Sequence, residues 1–240
     1  MPHIRARQFD QPPGQAPVSN LLTPELQDRL SAIATLMEFD ENPAHDAVVR
    51  EGDPAPCVYI IARGIVRLSR NSTSGRHQII SFLLPGDVFG IPEQGQYPNT
   101  ATAIGHVSLY QVPWTELCSL FREEPQLQNS FLTRLAYDLQ EAQKRIVVLG
   151  QQNVSQRLAS FLLELMDHAD FYDPQTRHLL LPISRFDLAD YIGTSAETVV
   201  RVIAQLEKDQ VIRRLSSRTI ELCNPAALTF LLRRPRRTDH

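Results

Sequence analysis

The chain has 240 residues, of which 42% are hydrophobic and 21% charged, with a formal net charge of −3. This is ordinary globular composition. It contains no run of about 18 uncharged apolar residues, which excludes a membrane-spanning helix, and its three cysteines (Cys57, Cys118, Cys223) lie too far apart for a disulfide scaffold or a CxxC metal knuckle. The charge is uneven: residues 175–240 carry 11 Lys and Arg against 7 Asp and Glu, so the C-terminal quarter is the part suited to a polyanion. The first residues lack a basic-then-apolar leader, and a reduced, cytoplasmic setting is expected.

Residues 1–20, rich in proline and polar side chains, read as a disordered tail. Thr23-Pro24-Glu25 then reads as a helix start, with Thr23 as cap and Pro24 in the first turn, and a helix to about Met37 is expected. From Ala47 to Val112 short β-branched runs alternate with turn residues: Val58–Ile61, Ile65–Leu68, Gln78–Phe82 and Val107–Tyr110, with Gly52, Gly64, Gly86 and Gly90 at the joints. That spacing predicts an all-β sandwich or jelly roll, within a domain over 21–124.

A long helix follows, over about 125–152. Leu132, Leu135, Leu139, Ala142, Ile146 and Leu149 are spaced 3, 4, 3, 4, 3. This is a heptad seam, narrower than a stripe that faces its own core, and it calls for a partner helix: a homodimer interface. A second helix, Val154 to about Ala169, presents Leu158, Leu162, Leu165 and Met166 to the next domain.

Residues 153–232 carry the pattern with the clearest chemistry. Ser184 with Asp187 three residues on resembles a capping box. Leu188, Ala189 and Ile192 face inward on a short helix, and Ala189 is small enough for a close helix crossing. Gly193 permits a tight turn, and Thr194 or Ser195 caps the next helix. There Val199, Val202, Ile203 and Leu206 face inward, while Glu197, Thr198, Val200 and Arg201 face outward. This is helix-turn-helix spacing, with the second helix placed in the major groove of double-stranded DNA. Arg201 can donate twice to guanine O6 and N7, and Glu197 can accept from cytosine N4. Val200 can touch a thymine methyl, and Thr194, Ser195 and Thr198 can bind phosphate or base. Taken alone, Glu197 and Arg201 are an i,i+4 pair worth about 0.2–0.5 kcal/mol on a solvated helix. Their place after a glycine-hinged, capped turn favours the DNA reading. Residues 211–215 and 219–223 read as the two strands of a wing, with Arg185, Arg213, Arg214 and Arg218 as cations for phosphates. The stretch 233–240 is a basic tail.

In these residues the chain resembles the CRP/FNR superfamily of transcription regulators. Glu51-Gly52-Asp53, Gly64-Ile65-Val66 and Leu84-Pro85-Gly86-Asp87-Val88-Phe89-Gly90 carry the likeness. So do the heptad helix, Ser184–Gly193 and Glu197-Thr198-Val199-Val200-Arg201. The block at 184–193 is closest to the FNR/FixK branch. The resemblance implies an α+β chain: a β-roll sensor domain of cyclic-nucleotide-binding type, a dimerisation helix, and a C-terminal winged helix-turn-helix. It implies a homodimer on an inverted-repeat promoter site, an activator, with RNA polymerase as a partner. Base reading would fall on Glu197, Val200 and Arg201; relatives often carry Ser or Gly at the position of Val200.

The same likeness informs the sensor. Cyclic-nucleotide relatives carry a ribose-binding Glu after the position of Gly90 and then an Arg-Ser/Thr-Ala phosphate motif. Here Ile91 follows Gly90 and Asn99-Thr100-Ala101 replaces the Arg motif. A phosphate without a cation is costly to bury, so an effector other than cyclic AMP, or none, is expected. The nearest arginine by sequence is Arg76. Residues 1–56 hold no cysteine, which argues against an iron–sulfur cluster of the FNR type. A cyclic-nucleotide- or haem-responsive regulator of the same fold is the alternative, although Pro92 stands where the carbon monoxide sensors have a histidine. Phe89, Ile91, Glu93, Tyr97, Asn99 and Thr100 are the candidate lining of an effector pocket. An enzyme on a jelly-roll scaffold is the contrasting reading, but no nucleophile elbow, P-loop, HExxH or metal cluster supports it, and no cofactor or catalytic residue is expected.

Overall fold

The computed structural model describes residues 24–39, 47–71 and 77–233. The expected tail over 1–20, the Thr23 cap, Arg76 and residues 234–240 lie outside them. The chain divides into two compact units, Met1–Asp138 and Leu139–His240.

The first unit begins with α1 (Pro24–Ile33) and continues through β1 (Thr35–Phe39), β2 (Ala47–Val49), β3 (Cys57–Asn71), β4 (His77–Leu83), β5 (Val88–Phe89) and β6 (Thr100–Pro113). α2 (Trp114–Glu123) and the first half of α3 (Pro125–Gln151) complete it. The strands form one antiparallel sheet in the order β1-β6-β3-β4; β2 pairs with β6 and β5 with β3. Because side chains alternate across a strand, β3 feeds two cores. Tyr59 and Ile61 join Val66, Phe89, Tyr97, Val107 and Leu109 in one. Val58 and Ile60 join Tyr110, Val112 and Leu117 in the other, under Leu30, Ile33, Trp114, Phe121 and Phe131 of the helices. Arg29 of α1 bonds Glu123 at 2.6 Å and also pairs with Glu124, which fixes α1 to the end of α2.

Two expectations need correction. The first helix stops at Ile33, not near Met37: Thr35–Phe39 is a strand, in register with Gln111–Val107 of β6. Its Met37 is buried in the sheet, and this long-range pairing outweighs the local helical pattern. The runs Val58–Ile61 and Ile65–Leu68 belong to one strand, since β3 continues through Gly64 as a bulge, with register shifts at Ile61/Arg63 and Arg63/Ile65. Gly64 has φ +88°, and a Cβ there would lie 2.5 Å from the His106 carbonyl oxygen. Only glycine lets the two long strands approach at that point.

The second unit contains the rest of α3, then α4 (Val154–Met166), β7 (Tyr172–Asp173), β8 (His178–Leu180), α5 (Arg185–Tyr191), α6 (Ala196–Lys208), β9 (Ile212–Arg214), β10 (Thr219–Leu222) and α7 (Pro225–Arg233). Asn153 and Gln156 form a reciprocal capping box that starts α4. This helix ends at Met166, earlier than its pattern suggested. Beyond it the chain turns so that Phe171 is buried. Leu158, Leu162 and Leu165 are buried, and the sheet order is β7-β8-β10-β9.

Candidate nucleic-acid interface

The Ser184 hydroxyl accepts the Asp187 N–H at 3.0 Å and starts α5. Leu188 and Ala189 are buried, as the spacing implied. Ser184→Ala is expected to lower the stability of this unit by about 1 kcal/mol. Calorimetry should show this as a fall of several degrees in the midpoint of its unfolding.

The turn that follows is held by its backbone. Gly193 has φ +67°, a region that costs other residues strain, and the Thr194 N–H donates to the Ala189 carbonyl at 2.9 Å. Of the two candidate caps, Ser195 takes the role: its hydroxyl accepts the Thr198 N–H at 3.3 Å and lies 3.1 Å from the Thr198 hydroxyl. Val199, Ile203 and Leu206 are buried and Val202 half-buried. That leaves the opposite face of α6 to solvent.

On that face Glu197, Val200 and Arg201 are exposed, with Thr194 and Thr198 half-buried beside them. Arg201 donates to the Thr198 hydroxyl at 3.4 Å, and no ion pair joins it to Glu197 among the described residues. The bland i,i+4 pairing is therefore not what these side chains do. The backbone N–H of Glu197 itself, then the Ser195 hydroxyl, hold the Glu197 carboxyl below the usual carboxylate range. It remains an anionic acceptor at neutral pH, as a partner for cytosine N4 must be.

The wing arginines are less alike than the sequence suggests. Arg213 binds the carboxylate of Glu221, directly across the β9–β10 ladder, with Nε at 2.9 Å, and Arg177 binds the other carboxylate oxygen at 3.2 Å. Glu221 is buried, so it draws on both cations. Arg213 is thus a strand tether, and its side chain is still exposed. Arg214 is likewise held by Glu207, with Nε at 2.8 Å. Arg218 is exposed on the wing turn.

Arg185 lies against the same turn. Its Nη2 donates to the Ser217 carbonyl at 3.3 Å, while its Nη1 is buried without a hydrogen-bond partner. Burial first, and then the Arg214 charge, lower its pKa from the ordinary arginine value. Phe186 beside it is 78% exposed. Sequence reasoning passed over this residue, and its one signal was an aromatic among the polar residues of a helix start.

The expected effector lining divides between two cores and a surface turn. Phe89 stacks on Tyr59 with ring centres 5.1 Å apart, and Tyr97 lies 6.5 Å from the same ring. Both belong to the first core. Tyr97 donates its hydroxyl proton to the Cys57 carbonyl at 3.0 Å; burial, then the neighbouring Tyr59, raise its pKa and keep it protonated. Burial, and secondarily Glu116, push the Cys57 thiol up as well, which makes it a poor nucleophile. Ile91 packs in the other core. Glu93 is exposed in a turn closed on Gln96. The Thr100 hydroxyl accepts the Glu51 N–H at 3.0 Å, and Asn99 is half-buried.

Along α3, Leu132, Leu139 and Ile146 are 55%, 60% and 71% exposed. Ala142 and Leu149 are exposed too, and Leu135 half-buried. Among the described residues no helix is long and apolar enough to cross a membrane.

Comparison with known proteins agrees with this architecture. Residues 40–124 match the model of the cyclic nucleotide-binding domain, and residues 156–231 that of the Crp-like helix-turn-helix domain. The nitrogen fixation regulation protein FixK of Rhizobium meliloti is 34% identical over 185 residues, 77% of this chain and 82% of its own. The transcriptional activatory protein AadR of Rhodopseudomonas palustris is 32% identical over 170 residues, 70% of each chain. The solved structure of FixK2 from Bradyrhizobium japonicum superposes with a TM-score of 0.74 at 30% identity, over 83% of this chain and 97% of that one. An outward-facing second helix after a glycine-hinged turn, a wing, a β-roll and relatives that regulate transcription rather than catalyse a reaction lead to one conclusion: the chain belongs to the CRP/FNR family of DNA-binding transcription regulators.

Proposed function

We propose that this regulator is a cytoplasmic homodimer that binds an inverted-repeat promoter site and activates transcription there through RNA polymerase. The exposed apolar stripe of α3 carries the reading. Three large aliphatic side chains in heptad register, more than half exposed in the single chain, find burial against a second α3. Two-fold pairing of the helices presents two α6 helices, and a two-fold site is their complement.

Glu197, Val200 and Arg201 read base edges in this proposal, and Thr194, Ser195 and Thr198 bind phosphate or base. Arg185 and Arg218 contact phosphates. A phosphate oxygen would supply the acceptor that Arg185 Nη1 lacks within the protein. Arg213 contributes charge to the same surface while tied to Glu221. AadR is named as an activator, which supports activation here. The β-roll responds to an effector other than cyclic AMP or acts without one, a reading supported by the packing of Tyr59, Phe89 and Tyr97 in its core and by Asn99-Thr100, which offers no cation to a phosphate.

Binding to an inverted repeat should be in the nanomolar range at physiological salt. Between 50 and 200 mM salt it should weaken by about 10³–10⁵, if six to ten phosphates are contacted. Fluorescence anisotropy against salt tests this, with sedimentation for the oligomer. Equal affinity for unrelated duplexes, or a monomer bound to DNA, would refute the reading.

A further inference from the structure

The last three turns of α3 belong to the same compact unit as the helix-turn-helix, and two arginines join them. Arg145 of α3 lies over the Tyr191 ring, its guanidinium carbon 4.3 Å from the ring centre, and its Nη2 donates to the Tyr191 hydroxyl. Tyr191, in α5, is buried and meets Phe161 of α4 edge-on, with ring centres 5.5 Å apart. Arg157 of α4 reaches three carbonyls. Its Nη1 donates to Leu149 at 3.2 Å and Gln152 at 3.0 Å, and its Nη2 to Gly193 at 3.3 Å. Leu149 and Gln152 stand at the C-terminal end of α3, where carbonyls have no helical partner and a cation is favoured. Gly193 is the hinge of the reading motif. A Leu149 methyl lies 3.8 Å from where a Cβ on Gly193 would stand, so no side chain separates the helix end from the turn.

We propose that Arg145 and Arg157 are positioning residues that fix the angle between α3 and the helix-turn-helix, and thereby set the spacing of half-sites the dimer accepts. This rests on the dimeric, inverted-repeat reading above. Leu139, Ala142, Ile146 and Leu149 of the seam lie in the same unit as the latch, so the helix that pairs with its partner copy is the helix the latch grips. With the angle fixed, the two α6 helices are held at one separation and one rotation. A change of one base pair shifts a half-site by about 3.4 Å and turns it by about 35°, and a rigid pair of heads cannot follow. Neither arginine lies on the outward face of α6, so the specificity they confer is one of geometry and not of base contact.

The test uses the full-length protein and labelled duplexes carrying the inverted repeat that the wild type selects from a random-sequence pool. The spacer is shortened or lengthened by one or two base pairs, and a one-armed duplex has one half-site scrambled. Anisotropy should give a wild-type profile that falls about tenfold for each base pair of change. In Arg145→Ala/Arg157→Ala, affinity at the preferred spacing should fall about tenfold and the profile should flatten to within about threefold. The one-armed duplex should still bind within about threefold of wild type. Arg145→Lys, which keeps a cation over the ring, should recover the steep profile when Arg157 is retained. A double variant as steep as the wild type overturns the proposal, and so does one that loses one-armed binding to the same degree, because the arginines would then only support the fold. A wild type that selects no inverted repeat refutes the parent reading instead, and is told apart from these outcomes before any variant is made.

Discussion

Leu139→Glu is expected to separate the two α3 helices and to weaken binding to the inverted repeat at least a hundredfold. Within one chain Leu139 is 60% exposed, so the substitution removes little that the chain itself uses. Across the seam the loss is large. Each copy forfeits the burial of a leucine, worth about 1.5–3 kcal/mol, and two like charges are brought together in an apolar interface. Separated heads then bind one half-site at a time and lose the effective concentration a linked pair provides, a factor of about 10²–10⁴. Sedimentation should give the mass of one chain, 27.2 kDa, and the unfolding midpoint should lose its dependence on protein concentration. A variant that still sediments as a dimer refutes the seam assignment.

Arg201→Ala should cost about 1–3 kcal/mol in DNA affinity and relax selection at one base position of each half-site. The guanidinium is exposed on α6, one turn beyond Glu197, and among the described residues it makes a single long hydrogen bond, to the Thr198 hydroxyl. Folding therefore owes it little, and the loss should appear in DNA binding and not in stability. Anisotropy on duplexes substituted one base pair at a time separates two outcomes. Loss confined to one position marks a base reader. A uniform loss with a shallower salt slope marks a phosphate contact and would sink the assignment.

The reading motif was legible because its signals are local. Ser184, Ala189, Gly193 and Ser195 each act within a few residues of themselves, as a cap, a close crossing, a positive φ and a second cap. What failed to show depended on distant partners. Thr35–Phe39 becomes a strand because Val107–Gln111 lies beside it, more than sixty residues on. Gly64 looked like a break between strands. Its real constraint is the His106 carbonyl on the neighbouring strand. Arg213 reads as a free cation until the ladder sets it opposite Glu221. Phe89 and Ile91 are two apart and would share a face if β5 continued. The strand ends at Phe89, and Gly90 at φ +81° sends Ile91 into the other core. The contact of Arg145 with Tyr191 bridges 46 positions, and no spacing rule anticipates it.

The border between the compact units falls inside α3, after Asp138. Each unit thus owns a length of the same helix, which runs from Pro125 to Gln151. A change in the length of α3 at this point obeys a simple phase rule. Seven residues added or removed leave the stripe on the same side of the helix, give or take about 20°. One residue swings it by about 100° and points the heads away from each other. Insertions at Leu139 should therefore preserve dimeric DNA binding only in steps of whole heptads.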